Sequence, residues 1–309
     1  MLKPVRTTLR GLLVAWSRLG RAPGWHYQVV EQWGARLNEP QGVPTTLVNG
    51  TRMRCDLADH VERQIYFVGL YEPIEAYLLT RLLRPGMTFV DGGANVGAHT
   101  LMASTAVGPA GAVLSFEPVP ATAEKLEAHV TRNQLDNVRV NRAALWHESG
   151  TVQLGLPLDK LGNVGAYTIR GGDPASTVDA PAVRLDDYVQ RCGIERVDLI
   201  KLDVEGAELF ALQGMRQVLE RDRPTLLVEI CRTTCLRFGY EPQAIWELLN
   251  GEFGYLGWAI GESRAASHEI ADLREVEQEN VLFDRCDAPG VLSAPWDLKS
   301  VLRWARRRD

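Results

Sequence analysis

Two short segments carry the residue types that could do chemistry. In TFVDGGANVGAHT, at 88–100, an apolar run ends in Asp91 and opens into a turn holding Gly92, Gly93 and Gly97. In LIKLDVEGAE, at 199–208, a second apolar run reaches Lys201 and delivers Asp203 and Glu205 just ahead of Gly206. Between them VLSFEP (113–118) closes on Glu117, and further on PTLLVEI (224–230) carries Glu229 to the end of another apolar run. Each reads as a strand whose carboxyl end presents an acid to a loop. In open parallel sheets ligands bind in the crevice at those ends, so the acids should gather around one site.

The glycine spacing indicates what that crevice binds. A dinucleotide lays its pyrophosphate on a helix amino end and favours G-x-G-x-x-G. Here the spacing is D-x-G-x-x-x-G, from Asp91 through Gly93 to Gly97. S-adenosylmethionine has no phosphate to cradle. It needs a loop without Cβ atoms, which Gly93 and Gly97 supply, and an acid near its amino or sulfonium charge, for which Asp91 stands ready. Glu117, at the end of the next strand, is placed to accept both ribose hydroxyls, as the acid of a dinucleotide site also is. Trp146, in ALWHESG after the third strand of the series, is the candidate to stack on adenine. Cys231 and Cys235 in CRTTC lack the second pair or histidine that would complete a zinc site. A divalent ion between Asp203 and Glu229 is compatible with their chemistry, but no spacing rule demands one, and no metal ligand is assigned.

The elements that must position these residues alternate. Strands are expected at 88–91, 112–117, 138–143, 197–203 and 224–230, with helices near 98–107, 120–134, 207–221 and 242–251, a pattern that implies a parallel sheet covered on both faces. YLGWAI (255–260) and NVLFD (280–284) should add a terminal antiparallel hairpin, making seven strands. Upstream, TLVNGTRMRCDL (46–57) reads as a hairpin on a two-residue Asn49-Gly50 turn, and 71–87 as a helix stopped by Pro-Gly. Residues 151–183 do not alternate and read as a long irregular insert on the carboxyl side of the sheet. The organisation expected is an N-terminal helical and hairpin extension (1–60), a cofactor-binding domain (61–286) and a C-terminal tail (287–309), of which RWARRRD should be a solvated end.

Composition bounds the class. With 309 residues, 45% hydrophobic and 24% charged, the chain can form one large soluble α/β domain plus an extension. A net charge of −5 gives no footing for nucleic acid, whose phosphates need a basic surface. Five scattered cysteines point to a reducing compartment, hence the cytoplasm. Residues 1–30 hold Lys3, Arg6, Arg10, Arg18 and Arg21 with Leu9, Leu12, Leu13, Trp16 and Leu19 at near-helical spacing. The favoured reading is a terminal helix packed on the domain with a solvated basic face. The other is weak peripheral contact of residues 1–21 with an anionic membrane surface. The apolar stretch Gly11–Trp16 is too short to span a bilayer and no convincing secretory cleavage site follows it. Oligomeric state is not legible.

Taken together, YEP at 71–73, FVDGGANVGAHT, VLSFEP, VRLDDYV, LIKLDVEGAE and PTLLVEI resemble the FkbM family of S-adenosylmethionine-dependent methyltransferases, over about residues 65–235. The resemblance implies an α/β class I methyltransferase (Rossmann-like) fold, with a seven-stranded mostly parallel sheet and helices on both faces. It implies O-methylation of a hydroxyl on a sugar, glycolipid or polyketide-type natural product. It also implies that Asp91, Gly93, Asn95, Gly97 and Glu117 line the cofactor, with Asp203 near the reacting end. LGNVGAYTI, with Asn163 and Gly165, resembles a family element. Two departures stand out: DGG replaces the more usual DVG or DIG, with Gly93 retained, and Cys231 follows VEI where histidine or asparagine often stands.

Methyl transfer to a hydroxyl requires in-line alignment and removal of the hydroxyl proton. The candidate bases are Asp203, Glu205 and Glu229 at strand ends, with His99 and His147 on nearby segments. His99 reads as a packing or capping residue. Asp203 is the choice for base or substrate-orienting carboxylate, with Glu229 beside it. Two other functions compete: a dinucleotide-dependent oxidoreductase, against which the missing G-x-G-x-x-G counts, and a non-catalytic binding module on the same fold, against which the intact acids count. The acceptor is expected to be a small molecule or glycan.

Overall fold

A computed structural model describes residues 3–18, 25–155 and 177–285, with scattered positions from 292 to 304. The chain begins with helices α1 (Lys3–Arg18) and α2 (Trp25–Gly34), followed by the hairpin β1 (Val43–Thr46) and β2 (Arg52–Cys55) and by α3 (His60–Val68) and α4 (Pro73–Leu82). The alternating body then runs β3 (Thr88–Gly92), α5 (Ala98–Val107), β4 (Ala112–Phe116), α6 (Pro120–Arg132) and β5 (Val138–Asn141). Short strands β6 (Ala144–Leu145), β7 (Gly150–Gly155) and β8 (Thr177–Val183) come next, then α7 (Leu185–Cys192), β9 (Leu199–Leu202), α8 (Glu208–Gln213), α9 (Arg216–Arg221) and β10 (Thr225–Cys231). The chain closes with α10 (Arg232–Arg237), α11 (Gln243–Trp246), β11 (Leu256–Ala259), β12 (His268–Ile270) and β13 (Gln278–Asp284).

The main sheet has the order β12-β11-β13-β10-β9-β3-β4-β5. The five strands from β10 to β5 are parallel, and β13, β11 and β12 are antiparallel. This is the α/β class I methyltransferase architecture. The sheet has eight strands rather than seven, because His268–Ile270 pairs with the outer edge of β11. The expected pairing of 255–260 with 280–284 is present, and β13 sits between β11 and β10.

Strand periodicity divides the core. Val90, Ile200, Leu226 and Val228 face one side, against α7, α8, α9 and α11. Phe89, Val113, Leu199, Leu227 and Leu282 face the other, against Leu78 and Leu79 of α4 and Ala103 and Val107 of α5. Both faces are covered, which is why β9 is buried at every position. A third cluster joins Val43, Met53, Ile65 and Phe67 to Val96, Leu101 and Met102, so the N-terminal segment is seated on α5.

Several local expectations change. The hairpin turn has three residues, Val48–Asn49–Gly50, closed by Gly50 N–H to the Leu47 carbonyl and Leu47 N–H to the Thr51 carbonyl. Gly50 takes φ +85°, and the Asn49 amide is spent on the Leu101 carbonyl and the Thr105 hydroxyl. The helix expected over 71–87 starts only at Pro73 and ends at Leu82, because Glu72 adopts a left-handed conformation. The helix over 207–221 breaks at Gly214, where a Cβ would stand 2.0 Å from the Trp146 carbonyl. The two ends of the irregular insert pair as the antiparallel strands β7 and β8, beside β6 in a separate sheet; Asn163 and Gly165 lie outside the described residues. The basic face of α1 is inverted: Arg10 is buried on the Leu37 carbonyl and Glu39, and Arg6 reaches the Asn38 carbonyl, while Val5, Leu9 and Leu12 are exposed. In the tail, Trp304 packs edge-on against Tyr77 instead of lying in solvent. No described helix is long and apolar enough to cross a membrane.

Candidate active site

Sheet order lines up the strand-end residues. From β10 to β5 they run Glu229, Asp203, Gly93, Glu117 and Ala143, all on the wall of one cavity of about 250 Å³. Toward β4 and β5 the wall is apolar, formed by Phe116, Val119, Ala144, Leu145 and Leu154. Toward β9, β10 and the amino ends of α4 and α5 it is charged or polar, with Tyr71, Glu72, His99, Lys201 and Asp203.

The glycine loop is shaped by close approach. Gly93 has φ +79°, and a Cβ there would stand 1.8 Å from the Asp203 carbonyl oxygen. Gly97 has φ +95°, caps α5, and faces Leu126 at 2.4 Å from its Cβ position. Asn95 is also left-handed, at φ 49°, and its N–H donates to Glu117 at 2.9 Å. The other Glu117 oxygen accepts the Val119 N–H at 2.8 Å. Burial pushes Glu117 up to about 7, against the pull of these two N–H groups.

Lys201 anchors the charged half. Its neighbours on β9 are apolar, yet it is 3% exposed, on the face that also carries Asp91. Its ammonium donates to Asp203 at 3.0 Å and lies 3.6 Å from Glu72. Burial works against the ammonium, but the charges of Asp203, Glu72 and Asp91 outweigh it and hold Lys201 well above its usual value. For Asp203, burial is outweighed in turn by Lys201 and by a hydrogen bond shared with Glu229, and the carboxyl is held down. Glu229 moves the other way, pushed up first by the Asp203 charge and then by burial. The two shifts oppose each other, as expected of two close carboxyls that share one proton. Gln278 donates to Glu229 at 3.0 Å and fixes its head.

The expected site residues divide into two groups. Gly93, Asn95, Glu117, Asp203 and Glu229 converge on the cavity, as does Glu205. Gly97 and Asp91 shape the site from behind: Asp91 is 1% exposed and accepts the Thr100 hydroxyl at 2.6 Å, beneath the loop rather than on the wall. Trp146 is a correction. Its ring stacks on Phe210 at 4.5 Å and 21°, in a cluster with Phe238, so it is a core residue and not an adenine platform. His147 packs on the same Trp146 and Phe210 rings. Glu208 caps its own helix, accepting the Val204 and Gly206 N–H groups at 3.1 Å.

Sequence reasoning missed Lys201, Tyr71 and Glu72, and it assigned His99 to packing or capping when the residue stands on the cavity wall. The signals were present: a lysine inside an otherwise apolar strand must have buried partners, and YEP puts an acid directly before a helix-starting proline.

A metal between Asp203 and Glu229 does not fit these residues. The Lys201 ammonium already supplies the cation beside Asp203, and among the described residues no three His, Cys, Asp or Glu side chains converge as ligands. S-adenosylmethionine does fit. The cavity offers an apolar end, a carboxyl beside it at Glu117, a loop with glycine at its tightest approach, and buried polar atoms without hydrogen-bond partners on Glu72 and His99.

The family profile described as the methyltransferase FkbM domain matches residues 91–256. The 31-O-demethyl-FK506 methyltransferase FkbM of Streptomyces tacrolimicus is 30% identical over 160 residues, covering 43% of this chain and 61% of that protein. The hexuronic acid methyltransferase AglP of Haloferax volcanii is 26% identical over 160 residues, covering 52% of this chain and 60% of that protein. The chain spans about three fifths of the length of the curated relatives it matches. Among solved structures, methyltransferase FkbM from Methylobacillus flagellatus is similar with a TM-score of 0.41 at 16% identity, over 73% of this chain and 55% of that one.

Proposed function

The chain belongs to the FkbM methyltransferase family, and from that premise we propose that it transfers a methyl group from S-adenosylmethionine to a hydroxyl oxygen of a sugar, glycolipid or polyketide-type acceptor. The observation that carries this reading is the position of the Asp203–Glu229 pair. Glu229 and Glu205 border the cofactor-sized cavity and also a second cavity of about 180 Å³, which is lined further by Cys231, Thr233, Thr234, Arg237 and Gln278. Glu229, the neighbour of Asp203, thus stands where two compartments meet, as a transfer between two bound molecules requires. The polar lining of the second compartment favours an acceptor rich in hydroxyls. Relatives named for a hexuronic acid and for 31-O-demethyl-FK506 are consistent with a small-molecule acceptor.

When bound, S-adenosylmethionine supplies an electrophilic methyl group on a sulfonium. Glu117 would hold its ribose hydroxyls, Gly93 and Asn95 would let it lie close to the loop, and Phe116, Val119 and Leu145 would cover its base. The chain's own chemistry is proton handling and alignment. Asp203, kept ionised by Lys201, accepts the acceptor's hydroxyl proton. Glu229, kept protonated, donates its hydrogen bond to Asp203 and so holds that carboxylate in line with the acceptor's oxygen. A general base contributes roughly a hundred- to ten-thousand-fold, and alignment in a closed site supplies several kcal/mol more.

Calorimetry on the purified protein tests the premise. S-adenosylhomocysteine should bind and NAD should not; the reverse preference would end the methyltransferase reading in favour of an oxidoreductase. Binding without transfer to any hydroxylated acceptor would favour a binding module.

A further inference from the structure

Glu72 is one of three non-glycine residues on the cavity wall with positive φ, alongside Asn95 and Glu205. It holds φ 44° and ψ 75° ahead of α4. A side-chain-bearing residue in this region costs on the order of 1–3 kcal/mol and persists only where its surroundings impose it. Nothing in the start of α4 demands the strain, since the Glu72 side chain makes no capping hydrogen bond. What the conformation achieves is to aim a carboxylate inward. Glu72 Oε2 is buried with no hydrogen-bond partner among the described residues, standing only within ion-pair range of the Lys201 ammonium at 3.6 Å, and His99 Nε2, on a residue 5% exposed, likewise lacks a hydrogen-bond partner. The two atoms stand 3.8 Å apart, too far to bond each other, and both residues line the cavity.

Buried polar atoms are nearly always paired, so an unpaired couple on a cavity wall marks the place of a missing partner. That partner must satisfy a carboxylate oxygen and an imidazole nitrogen together. Resting on the reading of the cavity as an S-adenosylmethionine site, we propose that Glu72 Oε2 and His99 Nε2 receive the α-ammonium group of the cofactor's amino-acid end. The order of the wall supports this. The apolar end lies by β4 and β5 and the ribose acceptor Glu117 follows, so the amino-acid end of an extended cofactor falls toward α4 and α5. An ammonium carries donors for both atoms. Burial holds His99 down to about 3, so its ring is neutral and able to accept. Burial also pushes Glu72 up to about 8 against the pull of the Lys201 ammonium, so a further cation at Oε2 favours its charged form.

The test compares two probes by calorimetry. S-adenosylhomocysteine carries the amino-acid end, and 5′-methylthioadenosine lacks it. In the unaltered protein the first should bind at least thirtyfold more tightly. Glu72→Gln should weaken S-adenosylhomocysteine at least tenfold and leave 5′-methylthioadenosine within threefold. Glu72→Gly removes the carboxylate while relieving the left-handed backbone, so it should fold at least as well and show the same selective loss. His99→Leu should move in the same direction. Equal weakening of both probes, or no weakening of either, would overturn the proposal and leave Glu72 as a shape-holding residue. If neither probe binds the unaltered protein, the cofactor reading falls first and the proposal with it.

Discussion

The carbonyl oxygen of Asp203 stands 1.8 Å from where a Cβ on Gly93 would be, and the Asp203 N–H donates to the Gly92 carbonyl at 3.1 Å. The loop that should cradle the cofactor and the residue that should handle the proton are therefore fastened together through backbone. Gly93→Ala would push Asp203 out of line and force alanine to φ +79°. The left-handed conformation and the clash should together cost roughly 2–4 kcal/mol of stability. Urea denaturation should show it, with a cofactor affinity that falls in parallel.

Lys201→Met should be as damaging for a different reason. It leaves Asp203 with its charge and no counter-ion, and removing one partner of a buried pair costs about 3–5 kcal/mol. The pH dependence fixes the cause. Asp203 is held below its usual value, so its pairing contributes stability above the unfolded carboxyl range and loses it as the pH falls through the folded value. The gap between the unaltered protein and Lys201→Met should accordingly narrow as the pH drops below about 4. A constant gap between pH 7 and pH 3 would show that lost packing, not charge, is responsible.

Much of this architecture was legible in the sequence, and the reasons differ by element. Apolar runs such as 88–91 and 225–230 are buried on both faces and cannot be mistaken, so β3, β9 and β10 fall where expected. Glycine is needed at 93 because backbone approaches backbone, a requirement that spacing alone betrays. Trp146 misled because an aromatic residue after a strand fits an adenine platform and a core equally well; only the position of Phe210, 64 places later in the chain, decides between them. The left-handed turn at Glu72 was illegible for a related reason. Nothing in the start of α4 signals it, and the neighbours of its carboxyl, Lys201 and His99, lie on β9 and α5. The inversion of α1 likewise depends on Leu37 and Glu39, partners that helical periodicity does not contain.

Glu117 should make cofactor binding depend on pH. Burial pushes it up to about 7, and ribose hydroxyls donate best to its ionised form. Below that value binding must expel a proton. Affinity for S-adenosylhomocysteine should therefore climb by up to about tenfold per unit as the pH rises toward 7, then level off. Stability of the cofactor-free protein moves the opposite way. The folded value lies above the ordinary 4.5, so this contribution is whole below 4.5 and is lost as the pH rises through about 7. Glu117→Gln should flatten the affinity profile and cost about 1.5–3 kcal/mol of binding at pH 8. A profile unchanged by the substitution would remove Glu117 from the cofactor site.

The division of labour between Asp203 and Glu229 leads to an unequal pair of variants. Lys201 keeps Asp203 ionised, whereas the Asp203 charge and burial keep Glu229 protonated. Asp203→Asn keeps the shape and the hydrogen bonding but cannot take a proton. Turnover should fall on the order of a hundredfold or more, with S-adenosylhomocysteine affinity near normal. Glu229→Gln replaces one neutral donor with another, and its amide can still face Asp203 and Gln278. Turnover should stay within about tenfold of the unaltered protein, with the loss in acceptor KM rather than in kcat. The opposite ranking, with Glu229→Gln inactive and Asp203→Asn active at saturating cofactor, would make Glu229 the base and Asp203 its electrostatic partner. Equal, severe losses would mean that the proton moves between the two carboxyls during turnover, so that neither acts alone.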